Sequence, residues 1–381
     1  MKLAIVRQNY TAFGGAERFV ERALAALSAQ GVDVEIIARQ WSEASADNKI
    51  RGQRVNPFYL GRTWRDASFA SGVQKIIASG TYDLVQSHER IPGCHIYRAG
   101  DGVHATWLEL RDASRPRWAH LGSVLSPWHR YILDAEAKMF RHPDLKAVIC
   151  NSQMVKNDII QRFGVAEEKL PVIYNGVDLN HFHPGLREDH RQGTRSRVGA
   201  GDSVDVILFV GSGFERKGLP TLIKAMPRLK NKRSELWVVG RDKHQSTLRA
   251  FAQTLGVDER VRFFGPQADV RPFYGAADVF ALPTLYDPFP NAALEALACG
   301  LPLVTTANCG AAELVTPDNG AAITAGDVAQ LALKLDELCA WRADKRHSEA
   351  ARDSVSGLAL ATMAERLMAL YATLLGGTSA R

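Results

Sequence analysis

The chain has 381 residues, enough at roughly 150 per domain for two globular domains, each with its own core. Its make-up of 46% hydrophobic, 23% charged and 8% aromatic residues excludes wholesale disorder. The net charge of +6 is uneven, because residues 1–170 hold 23 Lys and Arg against 18 Asp and Glu, whereas the rest hold 24 against 23. Such a basic first half suits a phosphorylated ligand, an anionic membrane surface or nucleic acid, and by itself selects none of them.

The apolar run after Lys2 ends at Arg7, too short for a secretory segment, and no stretch reaches the roughly 18 apolar residues of a bilayer span. The start of the chain therefore reads as a strand. Further strands are predicted at 32–38, 82–86, 146–150 and 170–174, with a helix between the first two carrying Ala16, Phe19, Val20, Ala23, Leu24 and Leu27 on one face. Residues 186–204 are polar, punctuated by glycine and almost free of large apolar side chains, and read as a linker. Strand and helix patterns resume with strands at 205–210, 235–239, 261–264, 278–282 and 303–305. A last helical pattern over 355–375, with Met363, Leu367 and Tyr371 on one face, has no strand after it and must pack on a layer already built. The fold class is α/β, with two parallel sheets. Cys94, Cys150, Cys299, Cys309 and Cys339 form no C-x-x-C pair, which reads as reduced buried thiols in a cytoplasmic protein, with no metal site.

Three segments carry chemistry. The first strand runs into a turn with Gly14 and Gly15 that opens onto the helix, where free N–H groups and the helix dipole favour an anion such as phosphate. The plain alternative is a tight strand-to-helix turn. The second sheet opens with a Gly-rich strand exit, Gly211-Ser212-Gly213, followed by Arg216 and Lys217. Ligands of open α/β sheets bind beyond the carboxyl ends of strands, and two cations there suit a diphosphate. A solvated pair at a helix start is disfavoured, since cations oppose the dipole at that end. Farther on, Asp287 lies just ahead of a helix predicted to start near Pro290, and Glu295 projects from inside that helix. Both can face one polar ligand; the alternatives are a helix cap for Asp287 and a partly buried salt bridge for Glu295.

Taken in order, the Gly14-Gly15-Ala16-Glu17 loop, Val148 to Ser152, Val172 to Asp178 followed by Phe182 and Pro184, the 209–218 segment, and Asp287 to Glu295 closing on Gly300-Leu301-Pro302 resemble glycosyltransferase family 4. The likeness covers nearly the whole chain and extends to the bacterial lipopolysaccharide-core glucosyltransferases. It implies the GT-B fold, with a first Rossmann-like domain at 1–185 rejoined by 355–381, a linker at 186–204, and a donor-binding domain at 205–354.

The resemblance also implies roles. Gly14 and Gly15 would lie against the donor diphosphate from one domain, while Arg216 and Lys217 neutralise it from the other. Glu295 would hold the ribose hydroxyls, Asp287 would reach the donor sugar, and Phe289 and Asn291 would line the donor site beside them. Phe264 and Gly265 match the region where backbone reads the base. Asp101 or His104 would touch the donor sugar and acceptor in catalysis. The family usually has Glu where this chain has Asp287, and often Gly near Pro290, so the donor sugar is left open between glucose and N-acetylglucosamine carried on UDP. The implied reaction retains the anomeric configuration. It needs no cofactor, and because no Asp-x-Asp occurs in the chain a metal–diphosphate clamp has no obvious ligands.

Trp107, Trp118, Trp128 and Tyr131 interleave with Arg111, Arg115, Arg117, Arg130, Lys138 and Arg141, a composition that suits peripheral contact with the inner membrane and a glycan or glycolipid acceptor. Acidic residues nearly balance that charge, so an ordinary acceptor-domain surface is the alternative. The rival functions are a GT-B phosphorylase, a sugar-nucleotide epimerase, and a non-enzymatic nucleotide or nucleic-acid binder. The last leaves the carboxylates and cations at the second domain's strand exits unexplained.

Overall fold

A computed structural model describes residues 2–10, 32–41, 51–115 and 125–376. The chain forms two compact units, Met1–Asn175 with Leu360–Arg381, and Gly176–Ala359. The first unit holds strands β1 (Lys2–Tyr10), β2 (Asp33–Trp41), β3 (Arg51–Arg54), β4 (Leu84–Ser87), β5 (Ile96–Arg98) and β6 (Ala147–Ile149) in the spatial order β3-β2-β1-β4-β5-β6. The second holds β7 (Val206–Val210), β8 (Glu235–Val239), β9 (Val261–Gly265), β10 (Val279–Leu282), β11 (Leu303–Thr306) and β12 (Gly320–Ile323) in the order β12-β11-β10-β7-β8-β9. All these neighbours pair in parallel.

Read from its far edge, the second order repeats the first, and both are the doubly wound order of dinucleotide-binding sheets. That order reverses direction once per sheet, between β1 and β4 and between β7 and β10. Crossover loops part there, which opens a crevice beyond the strand ends.

Helices cover the sheets: α1 (Gly61–Ala78), α2 (His104–Ala113), α3 (Pro127–Phe140) and α4 (Gln153–Phe163) in the first unit, and α5 (Leu186–Val198), α6 (Leu219–Ala225), α7 (Gln245–Thr254), α8 (Arg271–Ala276), α9 (Asn291–Ala298), α10 (Val328–Cys339) and α11 (Lys345–Asp353) in the second. Helix α12 (Leu360–Gly376) returns to the first unit, where Met363, Leu367 and Tyr371 pack with Leu3, Ile5, Ile36 and Leu84. The Tyr371 hydroxyl donates to the buried Gln86 side chain at 2.5 Å and so ties this last helix to β4.

The structure corrects three sequence readings. Residues 186–204 are no linker: α5 occupies most of them and belongs to the second unit. Its Arg187, Arg191 and Arg195, four residues apart, reach the fully buried Asp278 carboxylate at 3.4, 2.9 and 2.5 Å. Gly275 of α8 lies so close to α5 that an added Cβ would sit 2.2 Å from the Leu186 carbonyl oxygen. The units part at Asn175/Gly176 and Ala359/Leu360 instead of 185 and 355. Residues 170–174 make one parallel bridge, Cys150 with Val172, and no strand; Pro171 has no N–H to extend the ladder. The predicted helix between β1 and β2, with Gly14 and Gly15, lies outside the described residues.

Candidate active site

Beyond β7, the chain turns through Gly211 to Gly218 and enters α6. Gly218 caps that helix at φ 79°, and a Cβ there would lie 1.8 Å from the Pro283 carbonyl oxygen just beyond β10. Only glycine allows this approach. The Arg216 carbonyl accepts from the Leu285 N–H and from the Thr284 hydroxyl, both at 2.8 Å, so the two strand exits are joined through backbone. A Cβ at Gly211 would lie 2.7 Å from Cδ of Lys217, so the bare backbone forms a trough for that side chain.

The trough aims Lys217 at Asp287. Its Nζ donates to Oδ2 at 2.8 Å, and Arg216 Nη2 stands 4.0 Å from the same oxygen. Asp287 is buried, and its backbone is fixed by an N–H to the Asn308 carbonyl at 3.1 Å and a carbonyl accepting from Gly310 at 2.9 Å. The crevice of the second sheet thus holds two cations and one carboxylate as a single cluster. Asp287 is not a helix cap: α9 begins at Asn291 after Pro290, with no side-chain cap bond.

One to two turns along α9, Glu295 Oε2 accepts from the Tyr274 hydroxyl of α8 at 2.8 Å. Burial raises the Glu295 carboxyl to about 7, against the smaller opposing effect of that hydrogen bond. This is a half-charged carboxyl near neutrality, so the salt-bridge alternative is replaced by a tyrosine contact. Phe289 is buried next to this segment, and Asn291 is the first residue of α9. Phe264 packs between Trp237 and Phe273, with ring centroids 5.4 and 5.0 Å away. Its carbonyl accepts from Gln267 Nε2 at 2.8 Å, and the Gly265 carbonyl from the Gly240 N–H at 2.9 Å, so both acceptors are engaged.

Two family models match the chain, Glycosyltransferase Family 4 over residues 13–181 and Glycosyl transferases group 1 over residues 204–340. The chain belongs to the family 4 glycosyltransferases. The lipopolysaccharide glucosyltransferase WaaG of Escherichia coli K12 is 25% identical over 368 residues, covering 93% of this chain and 96% of that protein. The crystal structure of a WaaG glycosyltransferase involved in lipopolysaccharide biosynthesis superposes with a TM-score of 0.79 at 25% identity, covering 96% of this chain and 98% of the other. The Anabaena protein HepE, solved with UDP and glucose, shares the fold with a TM-score of 0.70 at 21% identity, covering 98% of this chain and 100% of that one. The architecture is GT-B, two Rossmann-like domains in one enzyme.

In the first unit of this glycosyltransferase, the turn after β5 carries Asp101, which is exposed, and leads to His104, the buried first residue of α2. Glu136 of α3 accepts from the His104 N–H at 2.9 Å and from the Ala105 N–H at 3.3 Å. Arg90 donates to the same carboxylate at 2.8 Å and to the Gly102 carbonyl at 2.8 Å, fixing the turn. His104 Nε2 lies 3.0 Å from Nδ1 of His129. Burial first, then the charges of Arg90, His129, Arg111 and Arg62, lower the His104 pKa to about 3, so its ring is neutral at physiological pH.

Sequence reasoning missed Tyr274 and His129. Each is an ordinary helical residue in the sequence and acquires its partner only through the fold. The aromatic and basic set from Trp107 to Arg141 is also redistributed. Trp128 is engaged, donating to Asp66 Oδ2 at 2.7 Å under the Arg62 guanidinium 3.9 Å above its ring, while Trp118 and Arg117 lie outside the described residues. Among the described residues, the large exposed apolar side chains are instead Phe58, Leu60, Trp64 and Leu125 in this unit and Leu333 in the other. Among the described residues no helix is long and apolar enough to cross a membrane.

Proposed function

We propose that this enzyme transfers a hexose with retention from UDP-glucose or UDP-GlcNAc to a glycan or glycolipid acceptor of the lipopolysaccharide core or another envelope glycan. The observation that carries the reading is the Lys217–Asp287 pair at the β7/β10 switch point, flanked by Arg216. The likeness to WaaG supports the glucosyl donor and the pathway, and HepE, solved with UDP and glucose, supports the nucleotide.

Cleavage of the bond between the anomeric carbon and the diphosphate places negative charge on the leaving oxygen. Lys217 and Arg216, already oriented, meet that charge without a metal ion, and one such donor is worth roughly 3–4 kcal/mol of transition-state stabilisation. Asp287 holds the ammonium in place before the donor arrives and offers its second oxygen to a sugar hydroxyl. Glu295 accepts from the ribose hydroxyls, which favour its ionised form. Phe264, Gly265, Phe289 and Asn291 border the nucleoside and sugar, and the family resemblance would assign Gly14 and Gly15 to the diphosphate and Asp101 and His104 to the sugar and acceptor.

The acceptor is brought by a membrane surface. The loop before α1 is pinned by buried Arg39, which donates to Asn56 Oδ1, the Pro57 carbonyl and the Arg65 carbonyl at 2.9, 3.0 and 2.6 Å. Pinned this way, the loop displays Phe58 and Leu60, 73% and 70% exposed, beside Trp64 and between the exposed Arg54 and Arg62. Apolar anchors among cations suit an anionic cytoplasmic leaflet. Vesicles rich in phosphatidylglycerol should sediment the parent and not a Phe58→Ser, Trp64→Ser variant.

A panel of nucleotide sugars scored by acceptor-dependent nucleotide release, run with EDTA present, tests the function. UDP-glucose or UDP-GlcNAc should turn over at an undiminished rate. Release without acceptor, phosphate dependence, or loss of activity restored by a divalent ion would contradict the proposal.

A further inference from the structure

The ring of His104 ends a chain of three side chains in the first unit. Arg111 Nη1 lies 3.4 Å from His129 Nε2, and His129 Nδ1 lies 3.0 Å from His104 Nε2. A guanidinium has no acceptor, so His129 Nε2 must receive that bond. A neutral imidazole has one N–H, which places the His129 proton on Nδ1, pointing at His104. His104 Nε2 is then the acceptor, and its own proton resides on Nδ1. Burial, then the positive charges of Arg111 and Arg62, lower the His129 pKa and favour its neutral form against the opposing pull of Asp112.

Two neighbouring side chains hold the His104 ring and its helix in place. Trp128 packs edge-on against His104 with centroids 5.4 Å apart, and its indole N–H is fixed by Asp66. Glu136 is spent on Arg90 and on the backbone of α2, so that carboxylate is committed away from the ring.

We propose that Arg111 and His129 are positioning residues that lock His104 in the tautomer with its proton on Nδ1, making His104 a hydrogen-bond donor to a sugar or acceptor oxygen and not a base. The inference rests on the glycosyltransferase reading for the identity of that oxygen, and on the first unit alone for the tautomer. It also separates the roles of His104 and Asp101, because a ring whose Nε2 is occupied and whose Nδ1 carries the proton cannot take one from the acceptor hydroxyl.

The test uses the full chain labelled with 15N-histidine and read by long-range NMR correlations, beside steady-state kinetics. In the parent, His104 should show Nδ1 protonated and Nε2 bare throughout pH 5–8. His129→Leu should let the proton redistribute to Nε2 and lower kcat about tenfold, the value of one lost hydrogen bond, with donor KM changed by no more than about twofold. His129→Asn, which keeps an N–H donor near the Nδ1 position, should restore the tautomer and most of the rate. Should His129→Leu not fold, Arg111→Met removes the donor that orients His129, and a second His104 tautomer should appear. A parent His104 protonated on Nε2, or His129→Asn no better than His129→Leu, overturns the proposal. A locked tautomer whose loss leaves kcat unchanged overturns the donor role, even while the nucleotide-release panel upholds the glycosyltransferase.

Discussion

Lys217 and Asp287, 70 residues apart in sequence, meet at 2.8 Å where the second sheet reverses its strand order. The pair resolves a problem that each residue poses alone. A lysine just ahead of a helix start is unfavourable there, and a carboxylate in this crevice costs desolvation energy unless it is paired. Joined, they form an ion pair that, in the proposed function, shares its cation with an arriving diphosphate. Removing one partner should therefore cost a large part of what removing both costs. Lys217→Ala or Asp287→Ala should each lower stability by about 2–4 kcal/mol, and the double variant by less than their sum, with a coupling of about 1 kcal/mol or more. Strict additivity in urea denaturation would show that the pair is not coupled.

Helix α5 gives a test in which activity plays no part. Asp278 is buried under three arginines, so Asp278→Ala leaves Arg195, itself nearly fully buried, without its counter-ion. The expected loss is about 3–5 kcal/mol, with new proteolytic cuts within 186–198. An unchanged melting temperature would mean that α5 is not held by this cluster.

Two buried groups should oppose each other in the pH dependence of stability. The Glu295 carboxyl, raised to about 7, contributes stability that is complete below the ordinary glutamate range near 4.5 and is lost as pH rises through 7. His104, lowered to about 3, contributes stability present above 6.5 that is lost as pH falls toward 3. Melting curves across pH 4–8 should show Glu295→Gln losing the stabilisation that the parent gains on acidification, and His104→Gln losing part of the parent's acid destabilisation. Parallel curves for parent and variants would remove both assignments.

Much of the fold was legible because parallel strands buried on both faces are short β-branched runs. The strands around Phe209, Trp237, Phe280 and Val304 are of this kind. Strands β3, β5 and β12 escaped: Arg51 to Arg54 is polar edge strand, Ile96 to Arg98 is three residues, and Gly320 to Ile323 is rich in small residues. Helix α5 escaped because arginine stems and one buried aspartate hold it, an arrangement to which hydrophobic periodicity is blind. In the candidate site, Arg216, Lys217 and Asp287 stood out in the sequence by their places at strand exits and Glu295 by its place inside the helix that follows. That Lys217 and Asp287 neutralise one another, that Tyr274 serves Glu295, and that His129 serves His104 depends on contacts between distant segments. The glycines announced the first of these only in part, as a turn without a partner.

The most direct test of the account sets UDP affinity, measured by calorimetry, beside turnover for two variants. Lys217→Ala removes the charge proposed to meet the leaving diphosphate and should lower kcat by roughly 10²–10³ with a smaller loss of UDP affinity. Glu295→Ala removes the proposed ribose contact, which would be alike in ground and transition states, and should weaken UDP binding more than it slows turnover. If Glu295→Ala binds UDP like the parent while Lys217→Ala keeps full turnover, the placement of the nucleotide and diphosphate at β7 and β10 is contradicted.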